Sequence, residues 1–294
     1  MRCKVMVENV WFSYVRGNPV LKGVTLSASP GEVVAILGPT GCGKSTLLTI
    51  MAGLIEPDEG RVLVNGEDLF SNIKALRRHI GLLFQDPEHQ LFSTTVYDEV
   101  AYALRTMGTP EDEVRRRVLE VAEELGIKDL LSRRPFKLSV GEKKKVALAS
   151  ILSYDPEILL LDEPTANLGV RDEALIISML VKARRAGKTV VMASHDLEFV
   201  FRVADKAYIM GNGTIRAVVK GEDVIKPEIL EATGLTPPLV TMVAEHFRIS
   251  YEEIASLTRG TGEHGRQGQH LKPGTSYARR ALGSPVGDRA SKDA

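Results

Sequence analysis

The 294-residue chain carries 38 Lys and Arg against 38 Asp and Glu, with 44% apolar and 26% charged residues, the make-up of an ordinary soluble protein of one or two domains. With no net charge there is no global electrostatic argument for a nucleic acid or an acidic membrane surface, and no nucleic-acid partner is expected. No apolar run approaches the roughly 18 residues that span a bilayer, MRCKVMVENVWF lacks a signal-peptide core, and Cys3 and Cys42 have neither metal nor disulfide spacing; the expectation is a reducing, cytoplasmic setting.

Short apolar pieces at Val5, Val7 and Val10, at Val20-Leu21 and Val24 to Leu26, and at Val33 to Leu37 read as strands. Tyr14 sits between two of them; by pattern alone it is a half-buried strand tyrosine, with stacking on a nucleotide base as the alternative. The last strand runs into Gly38-Pro39-Thr40-Gly41-Cys42-Gly43-Lys44-Ser45-Thr46, a G-x-x-x-x-G-K-[ST] spacing followed by the helical run Leu47 to Leu54. Strand, glycine-rich loop and helix are the context a phosphate-binding loop needs. Glycines let backbone N–H groups wrap a phosphate chain, Lys44 carries charge to the outer phosphates, and Ser45 offers a hydroxyl to Mg2+. The same amides and Lys44 are expected to favour a Cys42 thiolate.

Pro57 to Gly60 is a turn and Arg61 to Gly66 a strand and turn; Ile80 to Phe84 is a strand ending at Gln85. Asp86 to Ser93 is a polar loop with exposed-looking apolar residues, a candidate contact surface. Helices are predicted over 96–107 and 110–125, the second with Thr109 before Pro110 as a start signal, and together they form an insert between two halves of a sheet. The charges of Arg115 to Arg117 and the neighbouring glutamates are most simply a solvated face. Ser139 and Glu142 read by themselves as the capping box of a helix through Val146, Leu148 and Leu152.

Ile158 to Leu161 is a buried parallel strand that delivers Asp162 and Glu163 to the sheet edge where ligands bind. With the lysine loop upstream, Asp162 is expected to hold Mg2+ through water and Glu163 to orient or deprotonate the attacking water. After a helix over about 171–186, the strand Thr189 to Ser194 places His195 at the same edge; a lone histidine is more often structural than catalytic, and the functional alternative is a donor to the terminal phosphate. Residues 206–219 form a hairpin around Gly211-Asn212-Gly213. Short helices are expected over 222–258, with Ser250 and Glu253 as a capping box. From Gly260 onward seven glycines and six Lys or Arg against three acids predict a disordered tail.

The ordered set Gly38 to Ser45, Gln85, Leu138 to Glu142, Asp162-Glu163 and His195, over about residues 4–220, resembles the nucleotide-binding subunit of an ATP-binding cassette transporter. The resemblance implies an α/β fold: a P-loop NTPase mixed-sheet core with an antiparallel β subdomain and a helical signature subdomain. It implies an ATPase domain over 1–221, with its helical part at about 87–155, then a short helical extension over 222–259 and a tail over 260–294. It implies ATP and Mg2+ as ligands, Tyr14 on adenine, Gln85 sensing magnesium and water, Glu163 as base and His195 as phosphate contact. Ser139, Val140, Gly141 and Glu142 would complete the site of an opposing subunit, the same chain or a paralogue. Gly81 to Phe92 followed by Thr95-Val96 resembles the energy-coupling-factor importers, including cobalt and nickel systems. That implies a transmembrane coupling subunit docked on residues 86–93, a substrate-binding membrane subunit, and residence on the cytoplasmic face of the membrane. Two departures stand out. Val140 occupies a position where the family has glycine, and Gly169 one where it has aspartate, so turnover is expected to be best beside a partner with a complete signature.

Overall fold

A computed structural model describes residues 4–226 together with Ile229 and Thr241. Cys3, the Ser250 and Glu253 pair and the glycine-rich tail lie outside the described residues.

Two sheets share the chain. Strands β1 (Val5–Phe12), β2 (Leu21–Ala28), β4 (Glu59–Val64) and β5 (Glu67–Asp68) form an antiparallel sheet in the order β2-β1-β4-β5. The second has the order β10-β9-β3-β8-β7-β6, made of β3 (Val33–Leu37), β6 (Ile80–Leu83), β7 (Ile158–Asp162), β8 (Thr189–Ser194), β9 (Lys206–Gly211) and β10 (Thr214–Lys220). It is parallel throughout except for the β9–β10 hairpin.

The alternation of a strand explains how one sheet serves two cores. Val33, Ala35 and Leu37 face one core with Leu159, Leu161, Val190 and Met192. Val34 and Ile36 face the other with Ile158, Leu160, Val191 and Ala193. The second core is closed by the antiparallel sheet and α1 (Lys44–Met51). A short α2 (Ile73–Leu76) precedes β6.

Between β6 and its parallel neighbour β7 the chain makes a helical excursion: α3 (Val96–Thr106), α4 (Glu111–Glu124) and α5 (Val140–Leu152). The capping box on α5 is present: Ser139 accepts from the Glu142 N–H while the Glu142 carboxylate accepts from the Ser139 N–H, 2.8 Å. Those Ser139 hydrogen bonds hold the Glu142 carboxyl below its ordinary pKa. Helices α6 (Val170–Arg185) and α7 (Leu197–Val203) complete the fold, with Gly187 in the left-handed region (φ 76°) just after α6. Among the described residues no helix is long and apolar enough to cross a membrane.

Three local expectations need correction. Tyr14 is not a half-buried strand residue: β1 ends at Phe12, the chain turns through a Val15–Asn18 bridge, and Tyr14 is 61% exposed. Thr109 does not cap α4, because Pro110 takes the N-cap position without a side-chain hydrogen bond. The strand before Gln85 stops at Leu83, so Gln85 lies in an exposed loop.

Candidate nucleotide site

The parallel strands β3, β7 and β8 end side by side, so the residues that follow each of them meet at one edge. After β3 the loop 38–43 turns into α1. A Cβ on Gly38 would lie 2.2 Å from the Met210 carbonyl oxygen, a distance that excludes any side chain. Gly43, at φ 107°, starts α1 in a conformation L-residues avoid. Lys44 is buried, and its ammonium donates to the carbonyls of Gly38 at 2.7 Å and Pro39 at 3.2 Å. The Tyr14 hydroxyl lies 3.2 Å from Thr46 Oγ1, and its ring stands edge-on to Phe12, which holds the exposed aromatic over the loop.

After β7 come the two carboxylates. Burial raises the pKa of Asp162, while a hydrogen bond from Ser45 and the Lys44 charge act in the opposite sense and Glu163 adds to the rise. Its Oδ1 is the one buried side-chain oxygen or nitrogen among the described residues without a hydrogen-bond partner. Glu163 has a left-handed backbone, φ 47°, and a buried carboxylate. Three groups at the end of β8 hold that carboxylate. His195 Nδ1 lies 2.8 Å from Oε1; the His195 N–H at 3.4 Å and the Ser194 hydroxyl at 3.5 Å reach Oε2. The His195 ring is 61% exposed, and with Nδ1 committed to Glu163 its Nε2 is left for another partner.

These elements enclose a cleft of about 360 Å3 lined by Tyr14, Val20, Thr40, Gly41, Gly43, Lys44, Ser45, Thr46, Gln85, Asp162, Glu163 and His195. Gly38, Pro39 and Cys42 do not line it. An adjoining cleft of about 580 Å3 is lined by Ser45, Phe84, Gln85, Asp162, Val140, Asn167 and residues 86–89, leading from Asp162 to the start of α5. Ser139, Gly141 and Glu142 line neither cleft.

The expectation for Cys42 is overturned. The thiol is buried, and burial pushes its pKa up more strongly than Lys44 and the loop amides pull it down, so the thiolate is not favoured.

Residues that the sequence reading passed over also converge here. In the run Lys143-Lys144-Lys145 each side chain goes a different way. Lys143 pairs with Glu88, Lys145 pairs with Asp172 at 3.2 Å, and Lys144 is fully buried against main-chain carbonyls of the Glu163 turn. The helical phase holds the signal: Lys144 shares a face with buried Ala147, Leu148 and Ile151.

A glycine loop at the start of a helix, a buried lysine, and an acid pair at a parallel-strand edge define a P-loop nucleotide-binding ATPase. Comparison with known proteins gives the family. The model for the family described as ABC transporter matches residues 21–166. The energy-coupling factor transporter ATP-binding protein EcfA2 of Caldanaerobacter subterraneus subsp. tengcongensis is 39% identical over 254 residues, covering 83% of this chain and 89% of the relative. The structure of cbiO1 from Clostridium perfringens, part of the ABC transporter complex cbiONQ, matches with a TM-score of 0.70 and 33% identity over 87% of this chain and 99% of that one. A dimeric post-hydrolysis structure of the ATP-binding cassette MJ0796, bound to ADP and Pi, matches with a TM-score of 0.69 and 29% identity over 74% of this chain and 98% of that one. The chain therefore belongs to the ATP-binding cassette family, as an ATP-hydrolysing transport subunit of the energy-coupling-factor type.

Proposed function

We propose that this chain binds Mg2+ and ATP in the Lys44 cleft and drives import of a transition-metal ion, cobalt or nickel, or of a vitamin, through membrane partners. The observation that carries the nucleotide reading is the convergence of Thr40, Gly41, Gly43 to Thr46, Asp162, Glu163 and His195 on one cleft. In this reading the loop amides and Lys44 cradle the phosphates, and Tyr14, exposed above Thr46, stacks on the base. Glu163 takes the proton of the attacking water, and His195, held by Glu163 at Nδ1, donates from Nε2 to the terminal phosphate as the doubly protonated imidazolium. Gln85 orients the water from its exposed loop.

The residues present fit a magnesium ion. The unpartnered, buried Oδ1 of Asp162 beside the Ser45 hydroxyl is a hard-oxygen donor set, and Gln85 lines the same cleft. Bound there, the ion would neutralise charge on the outer phosphates.

The membrane partner has a fitting surface in a groove of about 620 Å3 lined by Leu54, Phe84, Phe92, Tyr102, Met107 and Tyr154, with Lys74, Arg77 and Arg78 among its cationic residues. Phe92 is 67% exposed and packs edge-on against Tyr102, ring centroids 4.8 Å apart. Its loop is fixed from behind by the buried Glu99 carboxylate, which accepts from the Phe92 and Ser93 N–H groups at 2.9 and 2.7 Å. An apolar, pre-formed groove of this kind suits a helix of the transmembrane coupling subunit. The substrate-binding membrane subunit then selects the cargo, and this chain sits on the cytoplasmic face. The signature residues Ser139 to Glu142 serve a second ATPase subunit, which the dimer seen for MJ0796 supports. A second reading, a weakly hydrolysing regulatory partner in a heterodimer, is favoured by Val140, 51% exposed at the start of α5, and by the uncapped Gly169 at the start of α6.

The test is gentle detergent extraction of the tagged chain from native membranes followed by mass spectrometry of the intact complex. Co-purifying integral membrane subunits and a second ATPase chain are expected; recovery of the chain alone from the soluble fraction would contradict the transport assignment.

A further inference from the structure

The backbone of Glu163 lies in a region that L-residues other than glycine, Asn and Asp rarely occupy, and such a conformation persists only where its surroundings hold it. Three contacts do so. The Glu163 N–H donates to the Ala193 carbonyl at 2.9 Å, and its carboxylate is held by His195 and Ser194. Its carbonyl oxygen is held by the ammonium of Lys144, a side chain only 2% exposed.

Lys144 comes from α5, and its ammonium also donates to the Ala166 carbonyl at 3.1 Å, so it grips both ends of the four-residue turn 163–166. The Ala166 N–H in turn donates to the Glu163 carbonyl at 3.2 Å. A buried ammonium held mainly by carbonyl dipoles is costly for stability. Burial pushes its pKa down, and the nearby carboxylates of Glu163, Asp162 and Asp86 act against that. As packing, an apolar residue in phase with Ala147, Leu148 and Ile151 would serve as well or better.

The geometry points to Lys144 as a positioning residue for ATP hydrolysis: its two hydrogen bonds fix the Glu163–Ala166 turn and so aim the Glu163 carboxylate, an inference that rests on Glu163 being the base. Lys144 does not line the nucleotide cleft, and its two hydrogen bonds go to main-chain carbonyls of the 163–166 turn, so its loss should act on turnover and not on ATP affinity.

Steady-state Mg2+-ATP hydrolysis by the full chain tests this with Lys144→Met, which removes both donors, and Lys144→Gln, one bond shorter, which keeps an N–H donor. Lys144→Met is expected to lower kcat at least tenfold with KM for ATP within threefold of wild type, and Lys144→Gln to fall between the two. Hydrogen exchange at the Ala166 amide is expected to quicken in both. Wild-type kcat within twofold in Lys144→Met, a KM rise in step with the kcat loss, or unchanged Ala166 exchange would each overturn the proposal. Should Lys144→Met fail to fold, Lys144→Gln decides alone: at least a threefold kcat loss at unchanged KM is expected, and wild-type kcat overturns it. A Glu163→Gln variant as fast as wild type would instead remove Glu163 as base, and quickened Ala166 exchange in the Lys144 variants would still report that Lys144 holds the turn.

Discussion

The nucleotide cleft and the starts of α5 and α6 are built differently. Around Lys44 and Glu163 the three charged groups are buried and held within the chain: the lysine on two loop carbonyls, the glutamate on His195 and Ser194, and Asp162 by Ser45. At the starts of α5 and α6, Val140 is exposed, no atom lies within 4 Å of a Cβ built on Gly169, and Gly169 offers α6 no side-chain cap. One region is finished within the chain; the other has the character of a surface made to meet something else. Preorganised groups aimed at a reacting phosphate need the first kind of construction, and a face that opens and closes against a partner needs the second.

The largest effect that would break this contrast is at Glu163. Glu163→Gln is expected to lower kcat by about 10²–10⁴-fold, the range of general-base catalysis, while equilibrium ATP binding stays close to wild type; lost binding instead would make Glu163 a structural residue. Next is Gly38→Ala. With the Met210 carbonyl 2.2 Å from the new Cβ, the loop must shift, and a loss of about 1–3 kcal/mol in denaturant unfolding is expected together with weakened ATP binding by calorimetry. A smaller effect concerns Cys42. Its raised pKa leaves less thiolate than an ordinary cysteine has at the same pH, so alkylation followed by mass spectrometry at pH 8 should run at least several-fold slower than for a free thiol and quicken as pH rises.

The finished region was the more legible in the sequence, for a physical reason. A phosphate loop must be contiguous, because successive amides have to converge on one ligand, and Asp162 and Glu163 are adjacent because one strand delivers both. That His195 lies against Glu163 was not legible, since it depends on β7 and β8 becoming neighbours. Lys144 was hidden in a run of three lysines, and only the packing of α5 separates the one held by main-chain carbonyls from the two in ion pairs. The apolar groove draws on residues 52–154, from α2, β6, α3 and α5, so no local pattern announces it beyond the exposed-looking apolar residues of the 86–93 loop. Cys42 misled because neighbouring charge is visible in sequence and burial is not.

The contrast itself is most directly tested by ATP turnover per site in the purified chain alone, comparing wild type with the double variant Val140→Gly, Gly169→Asp. Gly169→Asp alone is the control, since aspartate in place of glycine at the α6 cap is worth only a few tenths of a kcal/mol, roughly, in stability. If the partner-facing region is what limits a chain working with its own copies, the double variant turns over at least threefold faster at unchanged KM for ATP. Equal turnover per site in the two proteins would contradict the account.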